Sequence, residues 1–136
     1  TDLVDFGDVI NGGAGDDRLI GLVGDDTING GAGNDRIFGN SGADVISGGG
    51  GDDRLTGQFG QDRFVHAPGD GADLITDFDV AEDLLDLTAH GFVNFAEVQA
   101  LMTDVAGDTR IDLAGGDDIL LSGVASGSIG VEDILI

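Results

Sequence analysis

The chain has no cysteine, no lysine and a single proline in 136 residues. Without cysteine, neither disulfides nor thiolate metal sites are available. That lack leaves a bound ion as the available cross-link. Only five arginines and two histidines stand against 27 acidic residues, a formal net charge of −22. That balance excludes nucleic acid as a partner, because nothing neutralises phosphates, and it disfavours anionic membrane surfaces. No apolar run approaches the roughly 20 residues of a membrane span, so no direct membrane insertion is expected. Thr1-Asp2-Leu3 begins no signal peptide, and the chain starts without methionine inside a repeat pattern. It reads as the C-terminal piece of something longer.

Glutamate is scarce as well. There are three, Glu82, Glu97 and Glu132, against 24 aspartates. A merely solvated acidic surface would use the better helix former too. Preference for the short carboxylate points to turns, where Asp reaches oxygen-ligand geometry close to its own backbone. Cations are the natural partner.

Asp8, Asp17, Asp26, Asp35, Asp44, Asp53 and Asp62 stand nine residues apart. Two positions after each comes an apolar residue: Ile10, Leu19, Ile28, Ile37, Ile46, Leu55 and Phe64. Glycine-rich turns precede most of them, as in Gly30-Gly31-Ala32-Gly33-Asn34-Asp35. Repeats begin at Gly12, Gly21, Gly30, Gly39, Gly48 and Gly57, with Asn40 and Gln58 at the second position of two copies. In the partial copy ahead of Asp8, Leu3, Val4 and Phe6 replace the glycines. A disordered Gly/Asp tract would not hold an apolar residue at one offset from every aspartate.

The period stops near residue 66, at the irregular His66-Ala67-Pro68-Gly69-Asp70-Gly71. Two units follow from this, residues 1–65 as a repeat array and residues 66–136 as a mixed cap with an apolar core. Within the cap, Asn94 and Glu97 form a capping box, and Val98, Leu101, Met102 and Val105 predict a helix over 94–106 ended by Gly107. Residues 109–113 and 119–121 flank Ala114-Gly115-Gly116-Asp117-Asp118 as a β-hairpin, and residues 131–136 read as a terminal strand.

Nine residues divide into a six-residue turn and a three-residue strand, so two repeats make one coil of eighteen. Coils stack at about 4.8 Å. Asp8, Asp26, Asp44 and Asp62 then line one edge, and Asp17, Asp35 and Asp53 the other. Two like charges about 5 Å apart repel by about 3 kcal/mol at an effective dielectric of 20. Two inward aliphatics per coil cannot offset that repulsion and the ordering of a glycine-rich backbone. A cation that accepts carboxylates and carbonyls can, and calcium takes six to eight such oxygens flexibly, whereas zinc prefers His or Cys.

The pattern G-G-x-G-x-D-x-U-x resembles the RTX (repeats-in-toxin) calcium-binding nonapeptide. The resemblance is strong over residues 8–65, and Asp73-Leu74-Ile75-Thr76-Asp77-Phe78 is similar to the segment that follows the array in hemolysin-type and serralysin-like C-terminal domains. It implies an all-β fold, a right-handed parallel β-roll with a C-terminal cap of short strands and one helix. It also implies calcium held between coils by the repeat aspartates and by carbonyls of the glycine loops. Carried onto this chain, the pairs Asp8/Asp26, Asp26/Asp44, Asp44/Asp62, Asp17/Asp35 and Asp35/Asp53 frame about five ions. Gly13, Gly15, Gly31, Gly33, Gly42, Gly49 and Gly51 supply the loop carbonyls. A further site would use Asp53 with Asp70, Asp73 or Asp77. Family members are typically secreted by Gram-negative bacteria through type I machinery that reads an uncleaved C-terminal signal, and Ile134-Leu135-Ile136 after an acidic pair is similar to one variant of it. The expected partners are calcium, an upstream effector domain of the same polypeptide and that machinery; the expected location is extracellular.

No catalytic residue set emerges. An H-E-x-x-H helix and a G-x-S-x-G elbow are both absent, and an Asp-Asp pair that recurs along the array is unlike an active site, which occurs once. His66 and His90 read as structural or surface residues. Arg18, Arg36 and Arg54 share one repeat position beside Ile20, Phe38 and Thr56, and stack on the outer face of one sheet. They serve either as a docking face or as charges balancing nearby acids. The alternative function is a calcium-rigidified module for adhesion or for binding a polysaccharide such as alginate, since similar rolls accompany alginate epimerases.

Overall fold

The computed structural model describes residues 7–136; the partial copy at Leu3, Val4 and Phe6 lies outside them. Seven strands follow the repeat period: β1 (Val9–Ala14), β2 (Arg18–Val23), β3 (Thr27–Ala32), β4 (Arg36–Ser41), β5 (Val45–Gly50), β6 (Arg54–Phe59) and β7 (Arg63–Val65). β1 to β5 each pair in parallel with the strand two places on, at an offset of eighteen, as in Ile10↔Ile28 and Leu19↔Ile37. Odd strands make one sheet and even strands the other. β1 to β6 are six residues long rather than the three expected, and β7 alone of the seven has three. The glycine segments stack in register too, Gly13 on Gly31 and Ala14 on Ala32, so their amides and carbonyls stay paired between coils.

Alternation along each strand points the apolar residue and the first glycine of the next repeat inward. Ile28, Ile37, Ile46, Leu55 and Phe64 are buried in one column system, while Ile10 and Leu19 at the first coil are only half-buried. Both sheets then continue past residue 65. β8 (Ala72–Ile75) adds to β6, and β9 (Leu84–Asp86) adds to β7. β10 (Met102–Val105), β11 (Asp108–Asp112) and β12 (Asp118–Leu121) extend the even sheet, and β13 (Ile134–Leu135) closes the odd one. One apolar cluster runs from Ile28 through Ile75 and Leu85 to Val98, Ile111, Ile119 and Ile134.

The hairpin forms where the sequence places it, whereas the terminal strand expected over 131–136 shrinks to Ile134–Leu135 after a turn at 131–133. The helix does not run to residue 106. α1 spans Phe95–Gln99 only, and Met102–Val105 pairs with β11 in an antiparallel hairpin. Thr103 and Val105 favour a strand, and Ala106 and Gly107, at φ 55° and 94°, form the left-handed turn that a two-residue hairpin requires. Asn94 caps the helix as expected, its side chain accepting from the Glu97 amide at 3.2 Å. Glu97 reaches back one residue further, to the Val93 amide at 2.8 Å.

Candidate metal centre

Each repeat aspartate sits just before a strand, at the end of a turn. Its amide donates to Oδ1 of the aspartate one coil further on. The rungs are Asp8 to Asp26 (2.6 Å), Asp26 to Asp44 (2.8 Å) and Asp44 to Asp62 (3.0 Å) on one edge. On the other they are Asp17 to Asp35 (2.8 Å) and Asp35 to Asp53 (2.7 Å). The carboxylates therefore stack inside the roll, and Asp26, Asp35, Asp44, Asp53 and Asp62 are buried.

Their second oxygens are unsatisfied. Oδ2 of Asp17, Asp26, Asp35, Asp44, Asp53 and Asp62 is buried and has no hydrogen-bond partner. A buried acceptor, above all a charged one, carries a large desolvation cost unless something pairs with it. The first glycine of each repeat makes room for that oxygen. A Cβ on Gly30, Gly39, Gly48 or Gly57 would lie 2.1 to 2.2 Å from Oδ2 of Asp35, Asp44, Asp53 or Asp62 respectively.

The turns add carbonyls. Gly13, Gly15, Gly31, Gly33, Gly42, Gly49 and Gly51 all have positive φ, between 87° and 140°. Their peptide units stack tightly: a Cβ on Gly31 would meet the Gly13 oxygen at 2.1 Å, and one on Gly51 the Gly33 oxygen at 2.1 Å. Gly24 and Gly60 hold the same fourth repeat position, at φ 120° and 128°, and belong with this set. The nine-residue period marks both. No cage of three His, Asp or Glu side chains exists among the described residues, so a cation here draws on backbone carbonyls as well. Carboxylate and carbonyl oxygens alone are the donor set that suits calcium.

Two cap aspartates carry the columns one step further. Asp53 donates to Asp73 Oδ1 at 3.1 Å, across twenty residues, and Asp62 to Asp83 Oδ1 at 3.0 Å, across twenty-one. Asp83 falls outside the nine-residue period, and only the folded chain brings it to the column. Asp77 lies elsewhere. Its carboxylate receives the amides of Gly57 (3.0 Å) and Gln58 (2.8 Å), where the shorter β8 leaves β6 unpaired. Asp70 accepts from the Ala67 amide at 2.7 Å.

Burial, reinforced by neighbouring carboxylates, pushes Asp53 and Asp62 up to about 6 and Asp73 up to about 8. Asp44 and Asp83 rise for the same reasons. The two histidines, distant in sequence, meet in space. His66 Nδ1 lies 3.1 Å from His90 Nε2, and His66 Nε2 lies 3.7 Å from Asp73 Oδ2. The second column thus ends on an imidazole.

The arginine column forms on the outer face of the even sheet. Arg18, Arg36, Arg54, Leu74, Leu120 and Arg110 stand in one register row. Arg110 pairs with Asp118, and on the odd sheet Arg63 pairs with Asp86. Arg18, Arg36 and Arg54 make no ion pair among the described residues; Arg18 lies over the Phe38 ring at 5.2 Å. They border an open groove of about 650 Å³ shared with Asp16, Asn34 and Asp52.

Stacked carboxylates, inward glycines and positive-φ turns define a calcium-binding parallel β-roll. The family model for the RTX calcium-binding nonapeptide repeat matches residues 4–37 and 29–64. The AlgE6R3 subunit of the mannuronan C5-epimerase of Azotobacter vinelandii is 30% identical, with a TM-score of 0.69 over 91% of this chain and 80% of that one. The AlgE6R2 subunit of the same organism's epimerase is 27% identical, with a TM-score of 0.66 over 94% of this chain and 91% of that one. The extracellular lipase LipA of Serratia marcescens shares the fold at 17% identity and a TM-score of 0.57, over 96% of this chain and 38% of the lipase. No curated protein matches the chain. The chain belongs to the RTX calcium-binding nonapeptide-repeat family, and its repeats bind calcium rather than catalyse a reaction.

Proposed function

We propose that this chain is the C-terminal folding and export module of a larger extracellular effector, switched on by calcium after secretion. The observation that carries the reading is the set of six buried Oδ2 atoms without a partner. A chain that must bury such oxygens folds when a cation reaches them and stays unfolded, hence threadable, when calcium is scarce. Extracellular modules respond at about 10⁻⁴ to 10⁻³ M calcium. Residues 1–65 hold the ions, which lie between consecutive aspartates of each column. Residues 66–136 cap the stack as terminal repeats cap a solenoid, and carry the type I signal at Ile134-Leu135-Ile136. Asp73 and Asp83, at the next rung of each column, extend the expected five ions toward seven.

Circular dichroism during calcium titration tests this directly. Strand signal should develop with calcium and fall in chelator. Equal strand content in both would refute coupled folding.

A second reading, a polysaccharide-binding role, is favoured by Arg18, Arg36 and Arg54, which make no ion pair among the described residues, and by likeness to subunits of a mannuronan epimerase. Three guanidinium groups at strand spacing suit a linear polyanion. Alginate binding that persists in the triple alanine variant of these arginines would remove the track.

A further inference from the structure

The two edges of the roll carry equal numbers of unsatisfied aspartate oxygens, three each, but their turns are built differently. Where odd strands lead into even ones, the second turn residue is Gly13, Gly31 or Gly49, at φ 102°, 110° and 87°. Where even strands lead into odd ones, it is Leu22, Asn40 or Gln58, at φ 84°, 77° and 75°. These three are the only non-glycine residues of positive φ in the described repeats, and they stand in one register row, Leu22↔Asn40↔Gln58.

We propose that the two edges are two classes of calcium site, with the glycine edge loading first and the Leu22–Asn40–Gln58 edge loading at higher calcium. This rests on the calcium sites between aspartates proposed above and adds their order of filling.

Three features argue for that order. L-residues held at positive φ are strained wherever the turn is ordered, and glycine is not. On the glycine edge the Gly13 carbonyl sits 2.1 Å from where a Gly31 Cβ would be, and the Gly31 carbonyl equally close to that of Gly49. On the other edge the Cβ atoms of Asn40 and Gln58 exclude that approach at the second turn position, and only the fourth-position glycines, Gly24, Gly42 and Gly60, keep it. The glycine edge also has a second, outer row of oxygen acceptors. Asn34 donates to Asp16 at 2.8 Å, Asp52 to Asn34 at 2.9 Å and Ala72 to Asp52 at 3.1 Å. The corresponding row opposite reads Asp25, Ala43 and Gln61, with the single rung from Ala43 to Asp25 at 2.7 Å. In this outer row the glycine edge carries two carboxylates, Asp16 and Asp52, and the opposite edge one, Asp25.

The chain has no Trp or Tyr, so one introduced Trp reports one edge. Ala32→Trp places it at an exposed third turn position on the glycine edge, and Phe59→Trp at the equivalent exposed position opposite. Terbium(III) serves as the probe, read by tryptophan-sensitised emission, with Ala14→Trp and Ser41→Trp as second reporters should either variant fail to fold. The Ala32→Trp signal should half-saturate at a terbium concentration about fivefold below that of Phe59→Trp. Adding Asn40→Gly and Gln58→Gly to the Phe59→Trp chain should narrow the gap, despite loss of their 2.8 Å side-chain hydrogen bond. Coincident curves, or the reverse order, overturn the proposal while leaving calcium-coupled folding intact. No sensitised emission at either edge, together with no calcium effect on strand content, overturns both.

Discussion

Asp53 and Asp73 are joined by the same amide-to-Oδ1 bond that joins the repeat aspartates, at 3.1 Å, although twenty residues separate them instead of eighteen. The column is thus handed from repeat to cap without a missing rung. Asp73→Ala would leave the buried Asp53 amide unpaired, and should cost about 1–3 kcal/mol in urea denaturation at saturating calcium. Asp73→Asn keeps an oxygen acceptor and should lose less. Equal losses would locate the role of Asp73 in its charge alone.

Acid should substitute in part for calcium. Asp53 and Asp62, at about 6, and Asp73, at about 8, have folded-state values above the ordinary 3.8. A carboxyl raised on folding contributes stability that is fully present below 3.8 and lost as pH rises through the folded value. The chelated chain should therefore show more strand structure near pH 4.5 than at pH 8, with most of the loss around pH 6. Strand content independent of pH in chelator would contradict this.

Gly48 and Gly127 separate room from flexibility. A Cβ on Gly48 would lie 2.1 Å from Asp53 Oδ2, whereas one on Gly127 meets nothing within 4 Å, and neither glycine has positive φ. Gly48→Ala should lose about 1–3 kcal/mol of stability in calcium, and Gly127→Ala should stay within about 0.5 kcal/mol of the parent. Thermal unfolding of the two variants side by side decides it.

Calcium removal should strip the array before the cap. Val98, Ile111, Ile119, Leu121, Val124 and Ile129 pack together with no column of stacked carboxylates among them. Hydrogen exchange in chelator should lose protection at Ile28, Ile37 and Ile46 before Ile111, Ile119 and Leu121. Simultaneous loss would make roll and cap one cooperative unit.

Much of the roll is legible from period alone. A residue type that recurs every nine places in a two-repeat coil must stack on itself at eighteen, so the two aspartate columns, the buried Ile28-to-Phe64 series and the arginine row follow from counting. The cap has no period, and its errors are local. Val98, Leu101, Met102 and Val105 have helical spacing, yet the β-branched Thr103 and Val105 and the left-handed turn at Ala106 and Gly107 put residues 102–105 into a hairpin with β11.

The sequence by itself therefore determined the repeat, the acidic columns and the calcium chemistry, because each depends on a spacing that recurs. Only the tertiary structure decided where the columns end. Asp83 rather than Asp77 takes the rung after Asp62, and His66 closes on Asp73, because loops of unequal length bring those residues to the edge. It also decided that the strained Leu22, Asn40 and Gln58 share one edge. Alternate turns fall on opposite sides of a coil, and that separation exists only once the chain is wound.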